Sequence, residues 1–430
     1  MYSFVITMSK NVWEITKCRV CGNTDLHNVI TLGDLHMSNF VERHEASLHT
    51  PYPLELVRCT RLGCGLLQLR HTVSGKVMYR NYWYRSGVNQ TMTEHLKGIA
   101  RVAASVVNLG RGDVVVDIGA NDGTLLRSYN RDDVTTVGFE PAKNLMSFAR
   151  KEVTHIFNDF FSGDLFKKRF SKKAKIVTAI AMFYDLDDPH TFVSDVKKVL
   201  DKDGVFIIQM MDLVSMLKLN AFDNICHEHL EYYSLESLEY LLKGHKLEIF
   251  DLETNDINGG SLRTYIRHCG SKVGNDRRGS RERIAKWRVE EKRLKLQDPK
   301  TYEAFGERVE GIRGALIQFL QKEKKRGRKI YVYGASTKGN TLLQYFGLND
   351  THIDAAAERN SIKWGKVTLG SNIPIVSEEH ARQSSPHYFL VLPWHFLQEF
   401  VERERAFLLS GGKFITPLPE FTIIDKKILD

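Results

Sequence analysis

Short apolar runs alternating with helix-length amphipathic segments dominate the middle of the chain. Val114-Val115-Val116 is β-branched and bounded by charge, which suits a strand buried on both faces of a parallel sheet. The pattern predicts strands near 113–118, 134–140, 153–157, 175–181, 204–210, 246–252 and 261–267, with helices between most of them. This alternation reads as one doubly wound α/β sheet. Its last two strands, joined across Asn258-Gly259-Gly260, read as an antiparallel hairpin. Upstream, Leu96, Ile99, Val102, Ala103 and Val106 recur at helical spacing and predict a helix over 94–110.

The pattern then restarts. Ile330-Tyr331-Val332-Tyr333 runs into Gly334-Ala335-Ser336-Thr337-Lys338-Gly339-Asn340-Thr341 and a helix through Tyr345. Later strands near 352–357, 387–392 and 412–415 indicate a second Rossmann-like sheet. The polar, basic, helix-forming stretch between the sheets reads as a connector. The expected organisation is a cysteine-containing module at 1–75, a first sheet domain at 76–270, a helical connector at 271–328 and a second sheet domain at 329–430.

Composition changes this picture little. With 430 residues, 42% hydrophobic and 26% charged, the chain is ordinary globular material for two or three domains. No run approaches the ~20 apolar residues of a membrane helix. Met1 to Met8 lack a basic start and a cleavage site, so no signal peptide is read and a cytoplasmic protein with no membrane partner is expected. The net charge of +9 concentrates at Lys322 to Lys329 and at Arg277, Arg278, Arg281 and Arg283. These stretches read as a solvated helix end and linker, or as an attraction for a polyanion or nucleotide diphosphate.

The cysteines change it more. Four of six fall in the first 64 residues: Cys18 and Cys21 as a knuckle pair, Cys59 and Cys64 as a second pair. Disulfides are unlikely partners in a reducing compartment, whereas four thiolates suit a closed structural zinc site. Zinc would fold a module too small to build a core alone.

Asp117-Ile118-Gly119-Ala120-Asn121-Asp122-Gly123, with Glu140 at the end of the next apolar run, reads as the cofactor loop of a class I S-adenosylmethionine (SAM) methyltransferase. Glycines at 119 and 123 let the backbone turn under an adenosyl group, and a carboxylate at Glu140 can accept both hydrogens of a ribose diol. The loop lacks a clean G-x-G-x-x-G, and SAM has no pyrophosphate to seat on a helix N-terminus. Asp159 stands where an acid can accept the adenine amino group, or else caps the helix starting near Asp164. Ala181, after the fourth strand, joins the cofactor set. The turn Ala181-Met182-Phe183-Tyr184-Asp185 lacks the Asn/Asp-Pro-Pro-aromatic sequence expected of enzymes that methylate base amino groups.

The segment Phe222-Asp223-Asn224-Ile225-Cys226-His227-Glu228-His229-Leu230-Glu231-Tyr232-Tyr233-Ser234 follows the fifth strand, on the side where open α/β sheets bind ligands. The helical H-E-x-x-H register of a metal site is missing. General acid/base work fits, because His titrates near neutrality and an adjacent Glu can orient it and support its cation. The Tyr-dense stretch Tyr79, Tyr82, Trp83, Tyr84 reads as a cleft wall or an inter-domain joint.

Taken in order, the cysteine module, the Asp117 loop, the His227 to Ser234 run, Asn258-Gly259-Gly260 and the Tyr333 to Thr341 turn resemble the SAM-dependent nucleotide-sugar C-methyltransferases over nearly the full length. The resemblance implies an N-terminal zinc domain, a central SAM domain and a C-terminal Rossmann-like domain. It implies as substrate a nucleotide-linked 4-keto-6-deoxyhexose bound between the domains, methylated at C-3 through an enolate. His229 would be the base, Glu228 its orienting partner, His227 the alternative base, and Tyr82 or Tyr84 a hydrogen-bond donor. Cys226, Asn258, Gly259, Trp394 and His395 would line the substrate pocket, Lys338 and Asn340 would meet the diphosphate unless their Gly-rich turn serves only tight packing, and Glu358 would meet the nucleoside ribose or else cap a helix. Some members carry tyrosine where Cys226 stands, so that residue's role does not transfer. A monomer with no nucleic-acid partner is expected. The alternatives are a zinc-containing nucleic-acid methyltransferase and a SAM-binding regulatory protein without turnover.

Overall fold

The run at 114–118 becomes an interior strand, third of seven across a sheet, in a computed structural model that describes residues 6–9, 11–60, 63–80 and 82–429. Across that sheet the strands run His155–Phe157, Thr135–Phe139, Val114–Ile118, Ala174–Ile180, Leu200–Met211, Ser261–His268 and Leu247–Asn255. Ser261–His268 alone runs opposite to the other six strands. All five residues of Val114–Ile118 are buried, as a central strand covered on both faces requires. Chain order reverses between Val114–Ile118 and Ala174–Ile180, so the crevice for a ligand opens beyond their carboxyl ends. The first covering helix is Gln90–Val106, capped by the Asn89 side chain. It buries Met92, Leu96, Ile99, Ala100, Ala103 and Val106 along one stripe.

The second sheet orders Ile375–Ser377, Ala355–Glu358, Ile330–Tyr333, Tyr388–Val391, Lys413–Thr416 and Thr422–Ile424, parallel except for the last. Two of these strands, Ile375–Ser377 and Thr422–Ile424, are only three residues long, too short to stand out as apolar runs. Its switch point lies between Ile330–Tyr333 and Tyr388–Val391.

Between the sheets, Ser280–Leu294 and Pro299–Lys325 form two helices. The longer one spans ~40 Å at 1.5 Å per residue. It buries Tyr302, Phe305, Val309, Ile312, Leu316 and Leu320 at three- and four-residue spacing. Among the described residues no helix is long and apolar enough to cross a membrane. The basic stretches work internally: Arg277 and Arg283 both pair with Asp251, which is fully buried, and Lys324 pairs with Asp354 at 3.0 Å.

The N-terminal module does not stand apart. Its sheet of Leu26–Leu35, Tyr52–Cys59 and Leu67–Leu69 is completed by Glu231–Tyr232 from the central domain. Phe40–Val41 pairs with Val367–Thr368 of the C-terminal domain. His36 and Gln344 exchange two hydrogen bonds, and Ser38 Oγ donates to the Thr337 carbonyl at 2.7 Å.

Candidate active site

The cofactor loop follows from backbone geometry. Gly119 sits at φ +72°, and a Cβ there would press on Met182 at 3.0 Å, across the switch point. Glu140, buried at the end of Thr135–Phe139, accepts the Asn121 N–H at 2.8 Å and the Ala142 N–H at 2.7 Å, one on each oxygen. Each oxygen keeps a second lone pair, so a vicinal diol fits the carboxylate. Burial pushes Glu140 up to about 7. Asp117 is turned into the sheet, where its carboxylate accepts the Thr178 hydroxyl at 2.6 Å. Burial raises it to about 7 as well. Asp122 caps the next turn through Thr124 and accepts the Gly87 N–H at 2.8 Å, and Gly123 follows at φ +81°.

Ala181 ends its strand at φ +54°, with its N–H on Gln209 O. Asp159 is exposed, 3.6 Å from Arg80 at the rim, beside Phe160. The helix cap that was its alternative role belongs to Ser162, whose side chain accepts the Leu165 N–H.

A strap of residues 82–88 crosses this loop. Asn121 accepts the Ser86 N–H and donates to the Tyr84 carbonyl, while Asn144 exchanges two hydrogen bonds with the Tyr82 backbone. Arg85 lies 4.2 Å over the Phe148 ring. The strap separates the two tyrosines singled out above. Tyr84 is exposed over the cofactor loop, whereas Tyr82 lies by Glu228, Asp185, Tyr184 and Cys226 in surroundings that push its phenol well above the usual range.

The segment at 222–234 brings the chemistry together. His229 is 6% exposed and its Nδ1–H donates to the Asn224 carbonyl at 2.7 Å, which leaves Nε2 as the lone-pair nitrogen. The Tyr184 ring meets the imidazole edge-on at 4.5 Å. Burial, helped by the Lys338 ammonium, pulls His229 down to about 3. Glu228 is half-buried, and burial pushes it up to about 7.

His227 is not part of this cluster. Its Nε2 bonds the Tyr52 carbonyl at 3.1 Å and its ring packs on Tyr52 in the N-terminal module, so the arrangement does not support it as the alternative base. Cys226 joins instead: one ligand atom each from Cys226, Glu228 and His229 lie within 4.8 Å of one another. Four residues given no individual role from the sequence also belong here: Tyr79, whose OH donates to the Glu228 carbonyl at 3.1 Å, and Tyr184, Asp185 and Asn224. The Tyr-dense stretch was the available signal for the first. Asn224 acts both through its carbonyl and through its side-chain Oδ1, and its partners, His229 and Lys338, come from different parts of the chain.

The C-terminal domain supplies its switch-point loops to the same place. Lys338 Nζ donates to Asn224 Oδ1 at 2.6 Å, and Trp394 Nε1 donates to Asp223 Oδ2 at 3.2 Å. Gly259 is at φ +84° under Trp394, where a Cβ would lie 2.7 Å from the indole; Asn258 precedes it at φ +58°. Burial brings His395 down to about 3. Two residues are less free than expected. Asn340 lies on the buried face of its helix, fully enclosed and with both side-chain amide atoms unpartnered, so it meets no solvent-borne diphosphate in this conformation. Glu358 accepts the Asn360 N–H on one oxygen and pairs with the Lys363 ammonium at 3.2 Å on the other, so a ribose would share this acid with an ion-pair partner that Glu140 lacks.

At the other end of the Glu231–Tyr232 strand pairing lie Cys18, Cys21, Cys59 and Cys64, their sulfurs all within 4.8 Å of one another. The Cys18–Cys64 and Cys21–Cys59 separations are 3.6 and 3.4 Å. A tetrahedral ion with metal–sulfur bonds of ~2.3 Å requires roughly 3.8 Å between sulfurs, close to these values and far from a ~2 Å disulfide. Asn23 Nδ2 donates to Cys59 Sγ at 3.6 Å, an outer support typical of zinc sites.

Family models match in three consecutive pieces: a zinc binding domain over residues 18–79, a methyltransferase domain over 88–252 and a C-methyltransferase C-terminal domain over 256–419. Among solved structures, the SAM-dependent methyltransferase from Clostridium acetobutylicum superimposes with TM-score 0.33 and 13% identity, covering 41% of this chain and 92% of that one. The CcbJ methyltransferase from Streptomyces caelestis gives TM-score 0.32 and 11% identity, covering 41% and 90%. The C-methyltransferase NovU from Streptomyces niveus is 31% identical over 421 residues, 97% of this chain and 99% of that one. The chain therefore belongs to the SAM-dependent C-methyltransferase family that includes NovU, with a four-cysteine zinc site in its N-terminal domain.

Proposed function

We propose that this enzyme methylates C-3 of a dTDP- or GDP-linked 4-keto-6-deoxyhexose, in the biosynthesis of a branched-chain deoxysugar. The observation that carries this reading is His229. It is a neutral imidazole held by Asn224, with Nε2 free, where the switch-point loops of two nucleotide-type sheets meet. A 4-ketone acidifies the neighbouring C-3 proton, so a positioned imidazole can remove it. His229 Nε2 takes that proton, and Glu228 beside it supports the imidazolium that forms. Bound SAM would supply an electrophilic sulfonium methyl for the resulting carbon nucleophile, with a neutral thioether as the leaving group. Tyr82, Tyr79 and Tyr184 wall the sugar and exclude water from the carbanionic centre. Trp394 and His395 line the opposite side, with Asn258 and Gly259 setting the position of the indole.

On this reading the Asp117 to Gly123 loop, Glu140, Asp159 and Ala181 hold the cofactor. The C-terminal domain holds the nucleotide beyond Trp394. The division at 1–75, 76–270, 271–328 and 329–430 follows the same assignment, for a cytoplasmic monomer that acts on a small molecule and not on nucleic acid. The test is incubation with SAM and a panel of dTDP- and GDP-linked 4-keto-6-deoxyhexoses. A mass gain of one methyl group with loss of deuterium from C-3 is expected for at least one member. Methyl transfer to oxygen or nitrogen, or none across the panel, rejects the reading.

A further inference from the structure

We propose that Lys338, carried in by the C-terminal domain, is a catalytic residue that donates a hydrogen bond to the C-4 oxygen while His229 removes the C-3 proton. The inference rests on the substrate reading above and gives this lysine a different task from the diphosphate contact expected of its turn.

Asn224 ties the two groups together. Its backbone carbonyl accepts His229 Nδ1–H at 2.7 Å and its side-chain Oδ1 accepts Lys338 Nζ at 2.6 Å, so one residue sets both the base and the ammonium. Lys338 is half-buried, and the charged or titratable groups around it are Asp223, Cys226, Glu228, Asp185, His229 and His395. Among the described residues it forms an ion pair with none of these acids, and Asn224 is its sole hydrogen-bond acceptor. An ammonium has three donors, which leaves two for a ligand.

The surroundings select the ligand. A diphosphate brought to Lys338 would set its charges against Asp223, Glu228 and Asp185, whose carboxyls burial already pushes toward the neutral form, so added negative charge is disfavoured there. A neutral ketone carries no such penalty, and it gains from the ammonium only as its oxygen becomes anionic. C-3 and C-4 are bonded neighbours, so a base for one and a donor for the other must lie side by side, as His229 and Lys338 do through Asn224. As the C-3–H bond breaks, its electron pair delocalises onto the C-4 oxygen and the proton goes to His229 Nε2. The Lys338 N–H bond remains intact throughout. The same ammonium accounts for the Cys226, Glu228 and His229 cluster without a divalent ion, since it supplies the positive charge there.

The test measures enolisation apart from methyl transfer. The full-length enzyme is incubated in D2O with S-adenosylhomocysteine and the nucleotide sugar that turns over best, and C-3 exchange is followed by NMR. Lys338→Gln is expected to slow both exchange and kcat by about 10²–10³-fold, the usual loss on removing one donor to a developing oxyanion. Nucleotide-sugar affinity should stay within a few-fold of wild type. Lys338→Arg keeps the cation and is expected to retain at least ten times the activity of the Gln variant, which separates charge from folding. Deprotonation removes the ammonium, so wild-type kcat should fall as pH rises through the Lys338 pKa; the Gln variant should lack this limb. Unchanged kcat and exchange with a KM raised tenfold or more would mark a phosphate contact and overturn the proposal. A wild-type enzyme without exchange or methylation across the panel would instead bring down the substrate reading, and this proposal with it.

Discussion

Burial acts in opposite directions on the neighbours His229 and Glu228, pulling the imidazole down to about 3 and pushing the carboxyl up to about 7. The imidazole is therefore neutral, and able to accept a proton, across the physiological range. What limits it is the cost of becoming a cation in a dry site, and a charged Glu228 offsets that cost. An acid whose pKa is raised to about 7 is neutral below that pH and charged above it. Activity should therefore rise with pH through about 7, and Glu228→Gln should remove that limb and slow turnover on the order of 10²–10³-fold. A pH profile of kcat/KM for both forms checks this; a limb that survives in the Gln variant assigns the titration elsewhere. His229→Gln should cost a similar or larger factor while SAM affinity, measured calorimetrically, stays unchanged.

Among the elements, the strap at 82–88 bridges the Asp117 to Gly123 loop and the surroundings of Glu228. It rests on Asn121, Asp122 and Asn144, and hydrogen bonds of this kind contribute about 0.5–1.5 kcal/mol each. Asn144→Ala removes the two that hold the Tyr82 backbone. Amide exchange at 82–88 should speed up by roughly tenfold, and the KM for SAM should rise several-fold with little change in global stability. Unchanged exchange would mean that the strap is held from elsewhere. This element was hidden in the sequence because its contacts are backbone groups meeting side chains from distant loops. Apolar period specifies the central strands and the first helix, but not the helix's ends: expected over 94–110, it runs Gln90–Val106, starting early because Asn89 caps it. The two-residue strand Glu231–Tyr232 was not legible: it is too short to have a period, and it pairs with residues more than 160 positions upstream. The same limit applies to the site. His229 and Glu228 could be read from their residue types, whereas the turning away of His227 depends on Tyr52, which no local pattern reveals.

Over the whole molecule, the zinc site and the catalytic segment are parts of one structure. Cys59 ends Tyr52–Cys59 and Cys64 precedes Leu67–Leu69, the strand on which Glu231–Tyr232 lies. The chain reaches Glu231 two residues after His229, and the Leu69 N–H bonds the Leu230 carbonyl at 2.8 Å. Losing the metal would release two strands that fix the end of the catalytic segment, and also Tyr52, the anchor of His227. The SAM loop lies in the other sheet and has no such dependence. Chelation, or Cys59→Ser, should therefore lower the Tm by about 10 °C or more and abolish methyl transfer, while SAM still binds. Iodoacetamide offers an independent readout. In the zinc-loaded protein the exposed Cys269 should react and buried Cys226 should resist, and chelation should add the four zinc thiols to the reactive set. Full activity in protein shown by mass spectrometry to be metal-free would mean that the strand pairing alone holds His229 in place.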